Sequence, residues 1–168
     1  MKTLDRNCVF SPCRKYRYTL WREFPVMNWL TGEAMNADRY LMVIGLNPST
    51  ADETQDDPTI RRCVGFAERW GFGALCMTNL FAWRDTLPEN MKKAERPVGD
   101  ANDLWLKECA SGAGMILAAW GKHGSHMRRA SVVGAMIPDL HALKTNKDSS
   151  PMHPLYVAAA TVPQPYQP

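Results

Sequence analysis

The sequence predicts an α/β fold of three layers, in which helices cover both faces of a central, mainly parallel sheet of four strands. A continuous apolar run at residues 40–46 is typical of a strand that is buried on both faces, and residues 74–80, with the sequence ALCMTNL, predict a second strand. Segments with the apolar spacing of amphipathic helices alternate with such runs. Because right-handed crossovers through helices place successive strands in parallel, this alternation predicts a parallel sheet.

The predicted elements follow one another in a regular order. Strands are expected at residues 40–46, 74–80, 115–120 and 140–144. The connecting helices are expected to begin near Thr59, to begin at an N-cap formed by Asp100, and to span residues 123–137. Residues 84–99, rich in Pro and Lys, are expected to form a loop, and the alternation in residues 16–24 predicts an antiparallel edge strand.

Length and composition indicate one domain over residues 1–168, with 1–15 and 157–168 as peripheral extended segments. The sequence has no run of about 18 apolar residues, which argues against a membrane span, and its charged N-terminus lacks the apolar region of a secretory signal. The five cysteines show no framework spacing and no tight pair. We therefore expect a cytoplasmic protein, monomeric, without a membrane partner, a structural metal or a cofactor.

Charge is distributed unevenly along the chain, although the net charge is only +3. Basic zones at residues 1–24 and 122–147 flank an acidic segment at residues 33–58. Two such zones suit a phosphate backbone on either side of a reactive centre. Ordinary solvated surface charge explains the pattern equally well.

The carboxyl ends of the predicted strands carry the candidate site residues, since ligands of open α/β sheets bind there. The first end has a Gly that admits a close backbone approach, an amide, and two hydroxyls. Its sequence is Gly45-Leu46-Asn47-Pro48-Ser49-Thr50. A plain β-turn with an Asx hydrogen bond is the alternative interpretation.

The second strand end combines an amide with aromatic rings. Asn79 offers a donor and an acceptor to a planar polar ring, and Phe81 or Trp83 offers a stacking face. Alternatively, the two aromatic residues belong to the core and Asn79 caps a turn.

The third and fourth strand ends carry further polar groups. Trp120 can form one wall of a crevice, with Lys122 or His123 facing phosphate. His153 lies in a loop between Pro151 and Pro154, which restricts the backbone and suits a positioned donor. The alternatives are a structural histidine and a stiffened surface loop.

Taken in order, these four motifs resemble those of the uracil-DNA glycosylase superfamily. The matching segments are Gly45–Pro48, Asn79, Trp120-Gly121 and Met152–Leu155. More narrowly, the segments GLNPSTAD, DDPTIRRC, TNLFAWR, AAWG and PMHPLY are similar to a bacterial and phage family of unknown function with an LNPSTAD segment. That similarity runs from about Cys13 to Tyr156.

The resemblance to the glycosylases implies a mechanism in which a nucleotide is flipped out of DNA into a pocket. Asn79 would bind the base edge, Phe81 would stack on the base, and His153 would stabilise the departing base. Asn47 would hold the attacking water. An amide cannot accept a proton from that water, so either the reaction is slow and relies on a good leaving base, or a carboxylate assists, for which Asp57 is the candidate chosen among Asp52, Asp56 and Asp57. N-capping is the alternative role for the acids that precede the helix.

The expected site is larger than these catalytic residues. Substrate contacts are expected from Gly45, Leu46, Pro48, Ser49, Thr50, Asn79, Phe81, Trp83 and Trp120. DNA contacts are expected from Arg61, Arg62, Arg84, Lys122, Lys147 and Tyr156. The bulky pair Leu155-Tyr156 follows His-Pro where the glycosylases have small residues, which is a departure from their pattern, and Tyr156 or Met152 is the candidate minor-groove wedge.

Three functions are consistent with the sequence. The first is a DNA glycosylase that hydrolyses the N-glycosidic bond of a modified or damaged pyrimidine. The second is an enzyme that processes a substituent on a hypermodified base of phage DNA. The third is a non-catalytic module that binds nucleic acid or a nucleotide, since a fold does not transmit chemistry by itself.

Overall fold

The computed structural model describes residues 5–27, 34–35 and 39–168. The strands in this part of the chain are β1 Asp5–Phe10, β2 Arg17–Glu23, β3 Val26–Met27, β4 Ala34–Met35, β5 Tyr40–Gly45, β6 Ala74–Asn79, β7 Met115–Ala118, β8 Leu140–Ala142 and β9 Gln164–Tyr166. The α-helices are α1 Pro58–Arg69, α2 Pro88–Lys93, α3 Asn102–Ser111 and α4 Arg129–Met136. Short 3₁₀ segments lie at Lys122–Arg128 and Pro154–Tyr156.

Seven of these strands form one sheet, in the order β1-β2-β6-β5-β7-β8-β9. Its centre, β6-β5-β7-β8, is parallel and consists of the four strands that the sequence predicts. Antiparallel strands flank this centre: β1 and β2 on one side and β9 on the other. A separate ladder joins β3 to β4.

The expectation of a four-stranded sheet is therefore corrected to seven strands, of mixed direction. The predicted edge strand at 16–24 is present as β2, but β1 covers its outer side. The terminal segments 1–15 and 157–168, expected to be peripheral and extended, contribute β1 and β9 at the two edges. Neither carries an apolar run, because an edge strand is largely exposed and its sequence need not show a buried pattern.

Hydrophobic cores lie on both faces of the sheet, so the α/β class and its layers are as predicted. On one face, Cys63 and Phe66 of α1 pack with Leu41 and Val43 of β5. On the other face, Leu106 of α3 and Val133 of α4 join the core that includes Met42 and Ile44. Since β5 is buried from both sides, its sequence is apolar throughout.

Several helix boundaries differ from the prediction. Asp100 does not cap α3; its carboxylate pairs with Arg96, and the helix follows Ala101. The predicted loop at 84–99 contains the short helix α2. The predicted helix over 123–137 is interrupted, because Met127 and Arg128 adopt left-handed φ angles of 53° and 54° before α4 begins.

None of the helices in the described residues combines the length and the apolar character needed to cross a membrane.

Candidate active site

A cleft of about 800 Å³ opens at the carboxyl ends of the parallel strands. It lies at a point where the strand order reverses, because the chain passes from β5 to β6 on one side and then to β7 on the other. The cleft brings together many of the residues expected from the sequence. These are Gly45, Leu46, Asn47, Ser49, Asp57, Asn79, Trp120, Lys122, Lys147, His153 and Tyr156.

The amide of Asn79 is the most unusual group in this cleft. Its residue is only 1% exposed, yet neither Nδ2 nor Oδ1 has a hydrogen-bond partner among the described residues. Buried polar atoms are nearly always paired, so an unpaired amide in a cleft wall indicates a place for a ligand. Asn79 is in register with Gly45, where a Cβ would stand 2.8 Å from Asn79 Oδ1. A side chain at position 45 would therefore clash with the amide, and glycine avoids this clash.

The backbone around Asn79 is held from several directions. Asn102 Nδ2 donates to the carbonyl oxygens of Asn79 and Leu80, at 3.0 Å each. Arg129 Nε also donates to the Leu80 carbonyl, at 2.9 Å. The Leu80 amide donates to the carbonyl of Gly45 at 2.9 Å. The amide of Asn79 is thus presented by a fixed strand end.

Asn47 is oriented by the loop that follows β6. Its Nδ2 donates to the carbonyl of Asp85 at 2.8 Å, and the Asp85 amide donates to the carbonyl of Pro48 at 3.0 Å. Because Nδ2 is engaged in this way, Oδ1 is the side-chain atom that remains to accept a hydrogen bond. Asn47 can therefore orient a donor such as water at the mouth of β5.

His153 is held as a neutral ring with a defined tautomer. Its Nδ1 accepts a hydrogen bond from the Leu155 amide at 3.3 Å, which leaves the proton on Nε2. Burial lowers the pKa of His153 below its usual value, and the charge of Asp57 acts in the opposite direction. The ring can therefore donate from Nε2 at neutral pH.

The loop that carries His153 is anchored on both sides. The Gly121 amide donates to the carbonyl of Pro151 at 3.0 Å. Arg62 Nε donates to the carbonyl of Pro154 at 3.3 Å, and Arg62 Nη2 donates to the carbonyl of Val157. Arg62, expected to contact DNA, thus contributes to the site by fixing this loop, and it does not line the cleft.

Of the three carboxylates considered from the sequence, Asp57 is the one that lines the cleft. It also caps α1, since its Oδ1 accepts from the Ile60 amide at 2.9 Å. Asp56 faces away and pairs with Arg22 at 2.7 Å. Asp52 binds the backbone and hydroxyl of Thr54 within its own loop. Asp57 therefore both caps α1 and lies in the cleft.

Arg17 lines the cleft and was not expected there from the sequence. It is 2% exposed, and its Nη1 donates to the carbonyl of Ala51 at 2.7 Å. The register of β1 against β2 shifts next to it, with Tyr18 as the extra residue. A bulge of this kind redirects side chains and is common beside active sites. No local sequence pattern marks this bulge.

Other residues in the cleft wall were also missed or left unassigned. They are Thr59, Ile60, Met77, Asp85, Thr86, Pro88, Gly121, His123, Asn146 and Asp148. Most of them belong to loops whose path depends on distant contacts, so no pattern in the sequence identifies them. His123 and Asp148 lie within strand-end segments that the sequence did single out.

The rim of the cleft carries exposed cations and one exposed aromatic ring. Lys122 and Lys147 are exposed, and Tyr156 is 78% exposed. His123 Nδ1 lies 3.1 Å from Lys92 Nζ, and because the ammonium group is a donor only, Nδ1 is the acceptor. Burial, followed by the charge of Lys92, lowers the pKa of His123.

The structure corrects the position expected for the two aromatic residues that follow Asn79. Phe81 is fully buried in the core below α3 and α4, and its ring centroid lies 5.5 Å from that of His126. Trp83 packs edge-on against Tyr16 at 5.4 Å. Neither ring lines the cleft, so neither is available there to stack on a base.

Four further residues expected in the site lie outside the cleft. Pro48 is buried and Thr50 is exposed beside it. Arg61 donates to the carbonyl of Asp56, and Arg84 lies over the ring of Phe10 at 4.8 Å. None of these four side chains contributes to the wall of the cleft.

A family model described as a protein of unknown function (DUF1643) matches residues 17–155. The chain belongs to this family. The segment of the chain that matches this family contains all four strand ends that form the cleft, from Gly45 to His153. No curated protein matches the chain, and no solved structure does.

This member of the DUF1643 family has no cluster of three or more His, Cys, Asp or Glu residues suited to a metal ion within residues 5–27, 34–35 and 39–168. Its five cysteines are all free thiols. The cleft itself presents amides, two imidazoles, carboxylates and cations.

Proposed function

We propose that this protein is a DNA glycosylase-like enzyme that binds a flipped, modified or damaged pyrimidine in the cleft and hydrolyses its N-glycosidic bond. One observation carries the proposal: four short motifs, far apart in the chain but ordered as in the uracil-DNA glycosylases, converge on a single cleft. The wall of that cleft holds the buried amide of Asn79, whose two polar atoms have no hydrogen-bond partner in the part of the chain that the structure describes. The four parallel strands would then correspond to the central sheet of that superfamily.

Recognition of the base would depend on Asn79 and on the apolar part of the wall. A side-chain amide offers one acceptor and one donor edge, which suits the carbonyl and ring N–H of a pyrimidine. Leu46, Ile60, Met77 and Pro88 supply apolar contacts in the same cleft. Because Phe81 lies in the core, these side chains would hold the base in place of an aromatic stack.

Departure of the base would be assisted by His153. As the bond to the sugar breaks, negative charge develops on the base oxygen. A donor aimed at such an oxygen is worth about 3–4 kcal/mol, and His153 Nε2–H is a donor held by the Leu155 contact at Nδ1. The released base then takes a proton from solvent.

Attack by water would use Asn47 and Asp57. Asn47 Oδ1 can accept a hydrogen bond from the water, while its Nδ2 is occupied by Asp85. Asp57 lines the same cleft and can accept the proton that the water loses when its oxygen bonds to the sugar carbon. Lys122 and Lys147 on the rim would face the phosphates, and the exposed Tyr156 would contact the opened duplex.

A second candidate is an enzyme that processes a substituent on a hypermodified base without releasing the base. The size of the cleft favours this reading. A volume of about 800 Å³ lies in the upper part of the range of pockets that hold drug-sized ligands. A plain pyrimidine ring would leave much of this space empty, so the substrate of either reaction is expected to carry a substituent.

Mass spectrometry of incubated DNA tests both candidates. A panel including phage DNAs with modified pyrimidines is incubated with the wild type, Asn47→Ala and His153→Ala. Thr50→Ala serves as the control, because Thr50 is in the same loop but outside the cleft. Free base and abasic sites that depend on Asn47 and His153 support the glycosylase.

The other outcomes separate the alternatives. A nucleoside of altered mass without base release supports the second candidate. Absence of any turnover, with DNA binding that survives Asn47→Ala and Asn79→Ala, contradicts both and supports a binding module.

A further inference from the structure

Three arginines are almost completely buried among the described residues: Arg17 at 2%, Arg22 at 0% and Arg129 at 4% exposure. A buried guanidinium is costly unless an anion and hydrogen-bond acceptors compensate its charge. All three side chains therefore need partners that compensate their charge, and the partners of each one indicate its role.

Arg22 and Arg129 are compensated within the protein. Arg22 pairs with Asp56 at 2.7 Å and donates to the carbonyl of Asp52 at 2.5 Å. Arg129 pairs with Asp103 and donates to the carbonyl of Leu80. Both arginines therefore have a structural role, because their charges are paired inside the protein.

Arg17 differs in the absence of a carboxylate partner. No Asp or Glu of the described chain lies within ion-pair distance of it, and its buried Nε has no hydrogen-bond partner there. Asp57 acts on Arg17 only through space, and its Oδ1 is engaged by the Ile60 amide. Burial lowers the pKa of Arg17 to about 10, so the side chain is still charged at neutral pH. Arg17 Nη1 donates to the carbonyl of Ala51 at 2.7 Å, but of the three arginines Arg17 is the one without a carboxylate partner among the described residues, and it is also the one that lines the cleft.

We propose that Arg17 binds an anionic group of the substrate, in the same cleft in which Asn79 reads the base. The inference rests on the proposed function insofar as that function makes the ligand a nucleobase. Arg17 is buried, whereas the cations of the rim, Lys122 and Lys147, are exposed. The exposed lysines suit backbone phosphates, and the buried guanidinium suits an acidic substituent on the base itself, which a planar fork can bind through two hydrogen bonds.

Calorimetric titration with a matched pair of small probes tests this assignment on the full chain. The probes are uracil-5-carboxylate and uracil-5-carboxamide, which have the same shape and differ by one charge. We expect the wild type to bind the acid at least tenfold more tightly than the amide. Arg17→Gln should abolish this preference, and Arg17→Lys should retain part of it. Arg69→Gln, an exposed arginine outside the cleft, is the control and should keep the full preference.

A second pair of probes identifies the source of the anion. Thymidine 5′-monophosphate is compared with thymidine in the same proteins. A tenfold preference for the nucleotide that disappears in Arg17→Gln, without a preference for the base carboxylate, also supports an anion site but assigns it to a phosphate.

The remaining results overturn the proposal. If the wild type binds both members of each probe pair with equal affinity, the proposal is overturned. This result needs no variant, so it does not depend on whether Arg17→Gln folds. A preference that persists in a folded Arg17→Gln protein also overturns the proposal. If the neutral base binds and its binding requires Asn79, only the role of Arg17 fails. If neither base nor nucleotide binds, the proposed function fails with it.

Discussion

Two buried polar clusters lie on either side of the start of α1, and they are built in opposite ways. The ion-pair cluster, formed by Arg22, Asp52 and Asp56, joins a fully buried guanidinium to one carboxylate and to loop carbonyls. The cleft cluster, formed by Arg17 and Asn79, holds a guanidinium and an amide that are equally buried but largely unpaired. The arginine of each cluster comes from β2.

The difference indicates how stability and function are divided in this protein. Leaving a buried polar group unpaired costs about 1–3 kcal/mol. A fold tolerates that cost where a ligand supplies the missing partners, and natural proteins break local rules mainly at such places. Substitutions in the ion-pair cluster should therefore affect stability, and substitutions in the cleft should affect binding and turnover.

The largest expected effect is on stability, from Asp56→Ala. This change leaves the Arg22 guanidinium buried without its carboxylate, and we expect the free energy of unfolding to fall by about 3 kcal/mol or more. Urea denaturation measures the change. Glu53→Ala is the control, because Glu53 pairs with Arg14 on the surface and its loss should have little effect. Equal effects of the two changes would remove the distinction between the clusters.

The next effect is on turnover, from His153→Gln. Loss of a preorganised donor is expected to lower kcat about 100-fold, provided that the proposed hydrolysis occurs, while thermal unfolding remains close to that of the wild type. His141→Gln, in β8 and outside the cleft, should retain full activity. A variant that turns over substrate at the wild-type rate would exclude His153 from the chemistry.

A smaller effect is expected from Asn79→Ala, and it separates two buried asparagines. Loss of two hydrogen bonds to a base should weaken binding by about 2 kcal/mol, roughly 30-fold, with no loss of stability because the side-chain amide of Asn79 has no hydrogen-bond partner among the described residues. Asn102→Ala, by contrast, removes both bonds to the strand end and should lower the free energy of unfolding by about 2 kcal/mol. Calorimetric binding and urea denaturation on both variants test the contrast. If Asn79→Ala destabilised the fold as much as Asn102→Ala, its amide would be a structural group.

The smallest effect concerns pH. Burial lowers the pKa of His153 below its usual 6.5. Below pH 6.5 the unfolded chain therefore binds a proton that the folded chain excludes, so stability is present above that pH and is lost as the pH falls through the lowered pKa. Melting temperatures between pH 7 and pH 5 should fall more steeply in the wild type than in His153→Gln. Parallel curves would mean that His153 does not contribute to the acid sensitivity.

Prediction from sequence succeeded where the information is local. The parallel strands β5, β6 and β7 were found because each is buried on both faces and carries an apolar run, which in β6 ends before Thr78 and Asn79. The cap of α3 was mistaken because Asp100 pairs with Arg96 instead of capping. The edge strands β1 and β9 were missed because their pairing depends on the partner strand and leaves little trace in their own sequence.

The same distinction between local and long-range information applies to the candidate site. Gly45, Asn47, Asn79 and His153 were identified because each lies at or beyond the carboxyl end of a strand, and strand ends can be located from the apolar runs before them. The sequence left open whether Phe81 lies in the cleft or in the core, since an aromatic residue just beyond a strand can lie on either side of the sheet. Its position depends on the packing of α3 and α4, which are distant in the sequence.

By itself, the sequence determined the class of the fold, the order of the strand ends, and the amide and imidazole that meet there. The tertiary structure alone decided that Asp56 pairs with Arg22, that Arg17 lines the cleft, and that Arg17 has no carboxylate partner among the described residues. The physical reason is that apolar patterns follow from neighbouring residues, whereas the pairing of a buried charge depends on every chain segment that comes within a few ångströms of it.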